Sequence, residues 1–98
     1  MELGVYSVLD KAVGAYLRPF YVRTKSEAIR SFAEACGDEK SEFCKHPDDY
    51  VLYSHGVFDD NSGIFSCGEP ERVISARECR ADGEAPNKVQ RKGPIALS

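Results

Sequence analysis

The stretch LGVYSVLDKAVGAYLRPFYVRTKSEAIRSFAEACG, residues 3–37, decides the fold. Its first part holds two runs rich in β-branched and aromatic residues, Leu3–Asp10 and Ala15–Val22, which favour pleated, half-buried backbone. Lys11-Ala12-Val13-Gly14 joins them, with Gly14 placed where a positive φ is easiest, so the two runs read as a β-hairpin. In the first run Leu3, Val5 and Leu9 form one alternating set and Tyr6 and Val8 the other, the pattern of a largely buried strand. Pro19 has no N–H for a ladder, which assigns the second run to a sheet edge or places a bulge at that proline. The helix start is then written as Thr24-Lys25-Ser26-Glu27, a capping box in which the Thr24 hydroxyl accepts the N–H three residues on and Glu27 reaches back to the cap N–H. Ala28, Ile29, Phe32, Ala33, Ala35 and Cys36 recur at helical spacing, and Gly37 sits where a left-handed cap residue ends such a helix.

Working outward, Asp38–Asp49 is polar and irregular, with one helical turn expected around Ser41–Lys45. Tyr50–Phe58 reads as a third strand, Asp59–Gly63 as a turn, Ile64–Cys67 as a fourth strand, and Arg72–Ala76 as a short closing strand after Gly68-Glu69-Pro70. These elements predict an α+β fold: a small antiparallel sheet of two β-hairpins plus a closing strand, packed on one α-helix in β-β-α-β-β-β order. Residues 1–76 form the single expected domain, and residues 77–98, where the pattern dissolves into Gly, Pro and isolated charges, a mobile basic tail.

At 98 residues, 42% hydrophobic and 30% charged, the chain has the composition of one soluble globular domain, without the ~20-residue apolar run of a membrane span or a signal-peptide pattern. The formal charge is −3, unevenly placed: residues 1–76 carry 8 Lys and Arg against 13 Asp and Glu, residues 77–98 carry 5 against 3. An acidic body argues against a protein that coats phosphate backbones indiscriminately, so any nucleic-acid contact must come from a local patch. The irregular gaps between Cys36, Cys44, Cys67 and Cys79, with no secretory context, predict free thiols rather than a disulfide framework. Cys36, Cys44 and His46, with Cys67, lack the close pair spacing of a zinc site, and no metal or other cofactor is expected.

No glycine-rich phosphate loop, nucleophile elbow or paired-histidine metal motif is present, so a catalytic role is not expected. His55, between Tyr53 and Val57, is read as a partly buried imidazole satisfied by a neighbour or exposed at an edge. Asp48-Asp49 and Asp59-Asp60 are read as turn formers. The segment most suggestive of binding interleaves rings and cations: Tyr16, Arg18, Phe20, Arg23, Lys25 and Arg30 are the candidate nucleic-acid contacts, since bases stack on exposed rings while cations follow the backbone. Strand alternation sends Tyr16, Arg18 and Phe20 one way and Leu17, Tyr21 and Arg23 the other; either the first set is an exposed stacking platform or its rings fill the core and Arg18 reaches past them to water. The acidic residues Glu34, Asp38, Glu39, Glu42, Asp48 and Asp49 supply the alternative, a surface that docks on a basic protein partner. Unprotected hairpin edges on so small a core also predict self-association as a homodimer.

The segments LGVYSVLDKAVGAYLRPFYV, EAIRSFAEAC, HPDDYVLYSHGVFDDNSGIF and EPERVISA, in that order, resemble the small non-structural protein of gokushoviruses, single-stranded DNA phages of the Microviridae, over about residues 1–76. The resemblance implies a protein outside the virion that acts in viral DNA replication in the host bacterial cytoplasm, at the switch to single-stranded genome synthesis. On that reading the partners are single-stranded DNA or, in the adaptor alternative, the phage replication initiator or a host replication protein.

Overall fold

The computed structural model of the chain describes residues 1–83; the tail expected to be mobile falls largely on residues 84–98, outside the described residues. The fold is α+β, an antiparallel five-stranded sheet with helices packed on one face. Strand β1 (Glu2–Asp10) is central; β2 (Ala15–Tyr16) and β3 (Phe20–Val22) both pair with its outer side, and β4 (Tyr50–Asp59) and β5 (Ile64–Ser75) follow on the other. The order is therefore β2/β3, β1, β4, β5, all antiparallel.

The hairpin expected from residues 3–22 forms, with Gly14 at φ 79 closing the turn onto Asp10. Its second strand is broken: Leu17 N–H still donates to Val8 O at 2.8 Å, and pairing then lapses through Arg18 and Pro19, the residue that cannot donate. Pairing resumes with Phe20 opposite Tyr6, so Tyr16 and Phe20 no longer share a face as unbroken alternation requires. The expected fourth and closing strands are in fact one strand, β5: Gly68, Glu69 and Pro70 are absorbed as a bulge where the pairing steps from Gly56↔Cys67 to Ser54↔Glu71.

Helix α1 (Lys25–Gly37) starts as its capping box dictates, Glu27 N–H donating to Thr24 Oγ1 at 3.2 Å. The Glu27 carboxylate accepts from Arg23 N–H at 2.9 Å, one residue before the cap rather than at it. Gly37 does not take the left-handed conformation; Asp38, at φ −82, ends the helix by donating its N–H to Ala35 O. Helix α2 (Glu42–Lys45) is the expected single turn, capped by Ser41 Oγ.

Over residues 77–83, the first part of the stretch expected as a tail, the chain is helical. Helix α3 (Ala76–Gly83) occupies that stretch and packs on α1. A second capping box begins it: Glu78 N–H donates to Ser75 Oγ at 3.1 Å and Ser75 N–H donates to Glu78 Oε1 at 3.0 Å. Ala76 and Cys79, three apart, bury against the α1 stripe and join Tyr6, Val8, Ala28, Phe32, Cys36, Tyr50 and Leu52 in one core. Arg80 seals its edge by donating to Cys44 O at 2.9 Å. The Cys36 thiol is held protonated, pushed up first by its hydrogen bond with Cys79 and then by burial. All four cysteines are free.

Candidate nucleic-acid interface

Because helices cover one face of the sheet, the chemistry of the other face falls to alternate strand residues. On β1, Tyr6 and Val8 point to the helices, so Leu3, Val5, Ser7 and Leu9 point away. Register carries that assignment across the sheet: Leu9 faces Tyr16 and Val51, Ser7 faces Tyr53, Val5 faces Tyr21, and Leu3 faces Phe58, itself opposite Phe65. The face with no helix on it is thus lined with rings.

The rings form two groups. Toward the β2 end, Tyr16 meets Tyr53 and His55 edge-on, with centroids 5.5 and 5.4 Å apart. Toward the β4–β5 turn, Tyr21 meets Phe58 at 5.8 Å and Phe65 at 6.5 Å, and Phe58 and Phe65 lie 4.5 Å apart. Edge-on and tilted packing leaves ring faces for a further partner. Tyr16 is 43% exposed, Tyr21 44% and Phe65 54%, large values for residues with this much apolar surface.

Between the groups the sheet is pinched by a bulge. The register with β1 shifts between Val5 and Tyr6, and His55 is the extra residue on β4. His55 Nε2 lies 2.6 Å from Ser7 Oγ, and Ser7 is only 2% exposed. The imidazole therefore satisfies a buried hydroxyl, the neighbour that the sequence left unnamed. Next to it Gly56 takes φ 136, packed against the Ser66 carbonyl and Cys67.

The candidate residues named from the sequence divide among three places. Tyr16 is on the open face, and Arg18 lies on the Leu17–Pro19 link at its edge. Arg23 follows β3 at the same edge. Phe20 turns to the helix side, where it stacks with Tyr6 at 6.2 Å against the core, so the Tyr16-Arg18-Phe20 platform does not form. Lys25 and Arg30 are exposed on α1 and belong to the helical layer. Tyr21, Tyr53, Phe58 and Phe65 take the places on the open face that the alternation argument gave to Phe20.

Charge is segregated along the same axis. Residues 11–30 hold Lys11, Arg18, Arg23, Lys25 and Arg30 against one acid, Glu27, and none of these cations enters an ion pair among the described residues. The acids proposed for partner docking are partly engaged already. Asp48 forms a two-point pair with Arg77 at 2.8 and 2.9 Å, which holds its carboxyl below the usual carboxylate range. Asp38 accepts the Lys40 N–H, Glu42 lies 3.7 Å from His46 Nε2, and Glu34 has a partner of its own. Glu39 and Asp49 make no side-chain hydrogen bond or ion pair among the described residues. No group of three or more potential metal ligands converges among the described residues. No helix there is long and apolar enough to cross a membrane.

The model of a protein family described as Phage ORF5 protein matches residues 3–79. The chain belongs to that family. The match runs from the first open-face residue, Leu3, to Cys79 in α3, so both aromatic groups and the whole described core lie within the family's extent. No curated protein and no solved structure matches the chain.

Proposed function

We propose that this phage protein is a non-enzymatic accessory of viral DNA replication that holds single-stranded DNA across the open face of its sheet, in the host bacterial cytoplasm. The observation that carries the reading is the split edge strand. Tyr16 and Tyr21, both half-exposed on that face, flank Arg18, and Arg23 follows at once. Tyr16 and Tyr21 stand opposite Leu9 and Val5, four residues apart on β1, which separates them by ~13 Å along the strand. Rings so placed take bases by stacking while the guanidinium groups between and beyond them meet phosphates. The resemblance to gokushovirus non-structural proteins supports a Microviridae setting and a role at the switch to single-stranded genome synthesis.

Fluorescence anisotropy of a labelled single-stranded oligonucleotide, at low and near-physiological salt, tests this. Tyr16→Ala and Tyr21→Ala should each weaken binding by ~1 kcal/mol or more, and Arg18→Ala should reduce the slope of affinity against salt by about one. A wild-type chain that binds no oligonucleotide at low salt refutes the reading and transfers it to the adaptor alternative. In that alternative Glu39 and Asp49, the acids free of side-chain partners among the described residues, would meet a basic groove on the initiator or a host replication protein.

A further inference from the structure

The basic residues of the β2/β3 edge have a counterpart on the far side of the sheet, Arg72 of β5. We infer that Arg72 is a second phosphate contact, so that a single strand crosses the open face from Arg18, over the Tyr16, Tyr53 and His55 group, to Arg72. This inference rests on the DNA reading and deepens it, giving the bound strand a direction across the sheet and a second anchor.

Ser7, on the open face of β1, stands opposite Tyr53 of β4, and Tyr53 stands opposite Arg72. Residues paired across strands share a face, so Ser7, Tyr53 and Arg72 form one row across the open side. A bulge at Val73 fixes the end of that row: the pairing steps from Leu52↔Ile74 to Tyr53↔Arg72, and Val73 and Ile74 both pack on the helix-side core. Glu71, opposite Ser54, falls on the helix-covered side. At the other end of the row Leu17 N–H donates to Val8 O at 2.8 Å, which brings the next residue, Arg18, alongside Ser7. Three inter-strand steps of ~4.8 Å put the Arg18 and Arg72 backbones about 14 Å apart. Tyr53 lies between them, with Tyr16 edge-on against it at 5.5 Å. The Phe58 row instead ends on Phe65, so among the two ring groups the one at Tyr53 is closed by a cation at β5.

Arg72 has a resident counter-anion that phosphate can displace. Its Nη2 meets Glu78 Oε1 at 3.0 Å, with the two side chains 50% and 52% exposed, and a surface pair of this kind is weak. The same Glu78 oxygen accepts the Ser75 N–H at 3.0 Å, so the carboxylate keeps a donor when Arg72 turns to another anion. A phosphate offers the guanidinium two oxygens in place of one, the geometry in which arginine binds most strongly. Bases stacked at Tyr16 and Tyr53 then lie between phosphates held at Arg18 and Arg72, and Tyr21 takes a flanking base. Two cations set on either side of one ring group let a chain of net charge −3 hold a polyanion locally.

The test titrates a labelled single-stranded oligonucleotide by anisotropy, over a range of salt, against the full-length chain and the variants Arg72→Ala, Arg72→Lys, Glu78→Gln and Arg72→Ala/Glu78→Gln. Circular dichroism checks that each is folded, and Glu39→Gln, on an acid away from the open face, measures the effect of net charge alone. Arg72→Ala should weaken binding roughly fivefold and lower the salt slope by about one, while Arg72→Lys keeps the slope. Glu78→Gln frees Arg72 and should strengthen binding by roughly two- to threefold, more than Glu39→Gln, and the gain should vanish in the double variant. Wild-type affinity and slope in Arg72→Ala, with Arg18→Ala still impaired, overturns the crossing path and leaves the DNA reading standing. A gain in Glu78→Gln that persists without Arg72, or that Glu39→Gln matches, overturns the exchange at Arg72. A wild-type chain that binds no oligonucleotide removes the DNA reading and this inference with it.

Discussion

Replacing Gly56 with alanine should be among the most damaging small substitutions available to this chain. Gly56 adopts φ 136, a region that side-chain-bearing residues rarely enter, and forcing alanine there costs about 1–3 kcal/mol. A Cβ on Gly56 would also fall inside hard contact with the Ser66 carbonyl oxygen and 2.7 Å from the Cys67 Cα. These atoms are backbone on a paired strand and cannot swing aside, so the crowding adds about 1–3 kcal/mol of overpacking. The sum, about 4 kcal/mol, is a large part of the 5–15 kcal/mol that usually holds a domain together. The control is Gly63→Ala: φ there is 79, yet nothing lies within 4 Å of the added carbon, so only the backbone cost of about 1–2 kcal/mol applies. Urea unfolding of both variants, followed by circular dichroism, measures the difference. If Gly56→Ala loses no more stability than Gly63→Ala, the β4–β5 bulge is not the close contact described, and the account of how His55 is aimed at Ser7 fails with it.

Two further outcomes follow from the helical layer. Thr24→Ala removes the acceptor for Glu27 N–H and should lower stability by about 1 kcal/mol in the same urea experiment, with Thr24→Ser recovering most of the loss. Alkylation of the native protein with iodoacetamide, read by peptide mass spectrometry, should modify exposed Cys67 first and Cys36 and Cys79 last, because both of the latter are buried and the Cys36 thiol is held protonated by its partner; labelling of Cys36 at the rate of Cys67 would contradict the buried thiol pair.

What the sequence made legible was local. The hairpin at Gly14, the Thr24–Glu27 cap and the turn ending at Gly63 each depend on residues a few positions apart, and each forms. The α3 start is equally local: Ser75 and Glu78 repeat the spacing of Thr24 and Glu27, but among the described residues Ala76 and Cys79 supply its buried apolar contact, too short a stripe for helical periodicity to stand out. The sheet errors share one cause. Alternation assumes an uninterrupted ladder, and the Leu17–Pro19 break resets it, turning Phe20 to the core and leaving Tyr21 on the open face. Gly68-Glu69-Pro70 looked like an end and is a bulge, because whether a strand resumes depends on its partner 15 or so residues away. The Ser7–His55 contact joins residues 48 apart through a register that contains its own bulge, and no local pattern announces it.

The central place of β1 has a consequence for how the chain acquires its structure. The first strand in the sequence gains β2 and β3 as neighbours within a few residues, but its other neighbour, β4, begins at Tyr50. Until that distant segment arrives, one whole edge of the most buried strand offers unpaired backbone groups to any other chain nearby. Loop closure over such a separation must precede the contacts that reward it, which places this domain with slow folders governed by non-local pairing. The interval between making β1 and making β4 is therefore the period in which this protein is most open to pairing with the wrong strand.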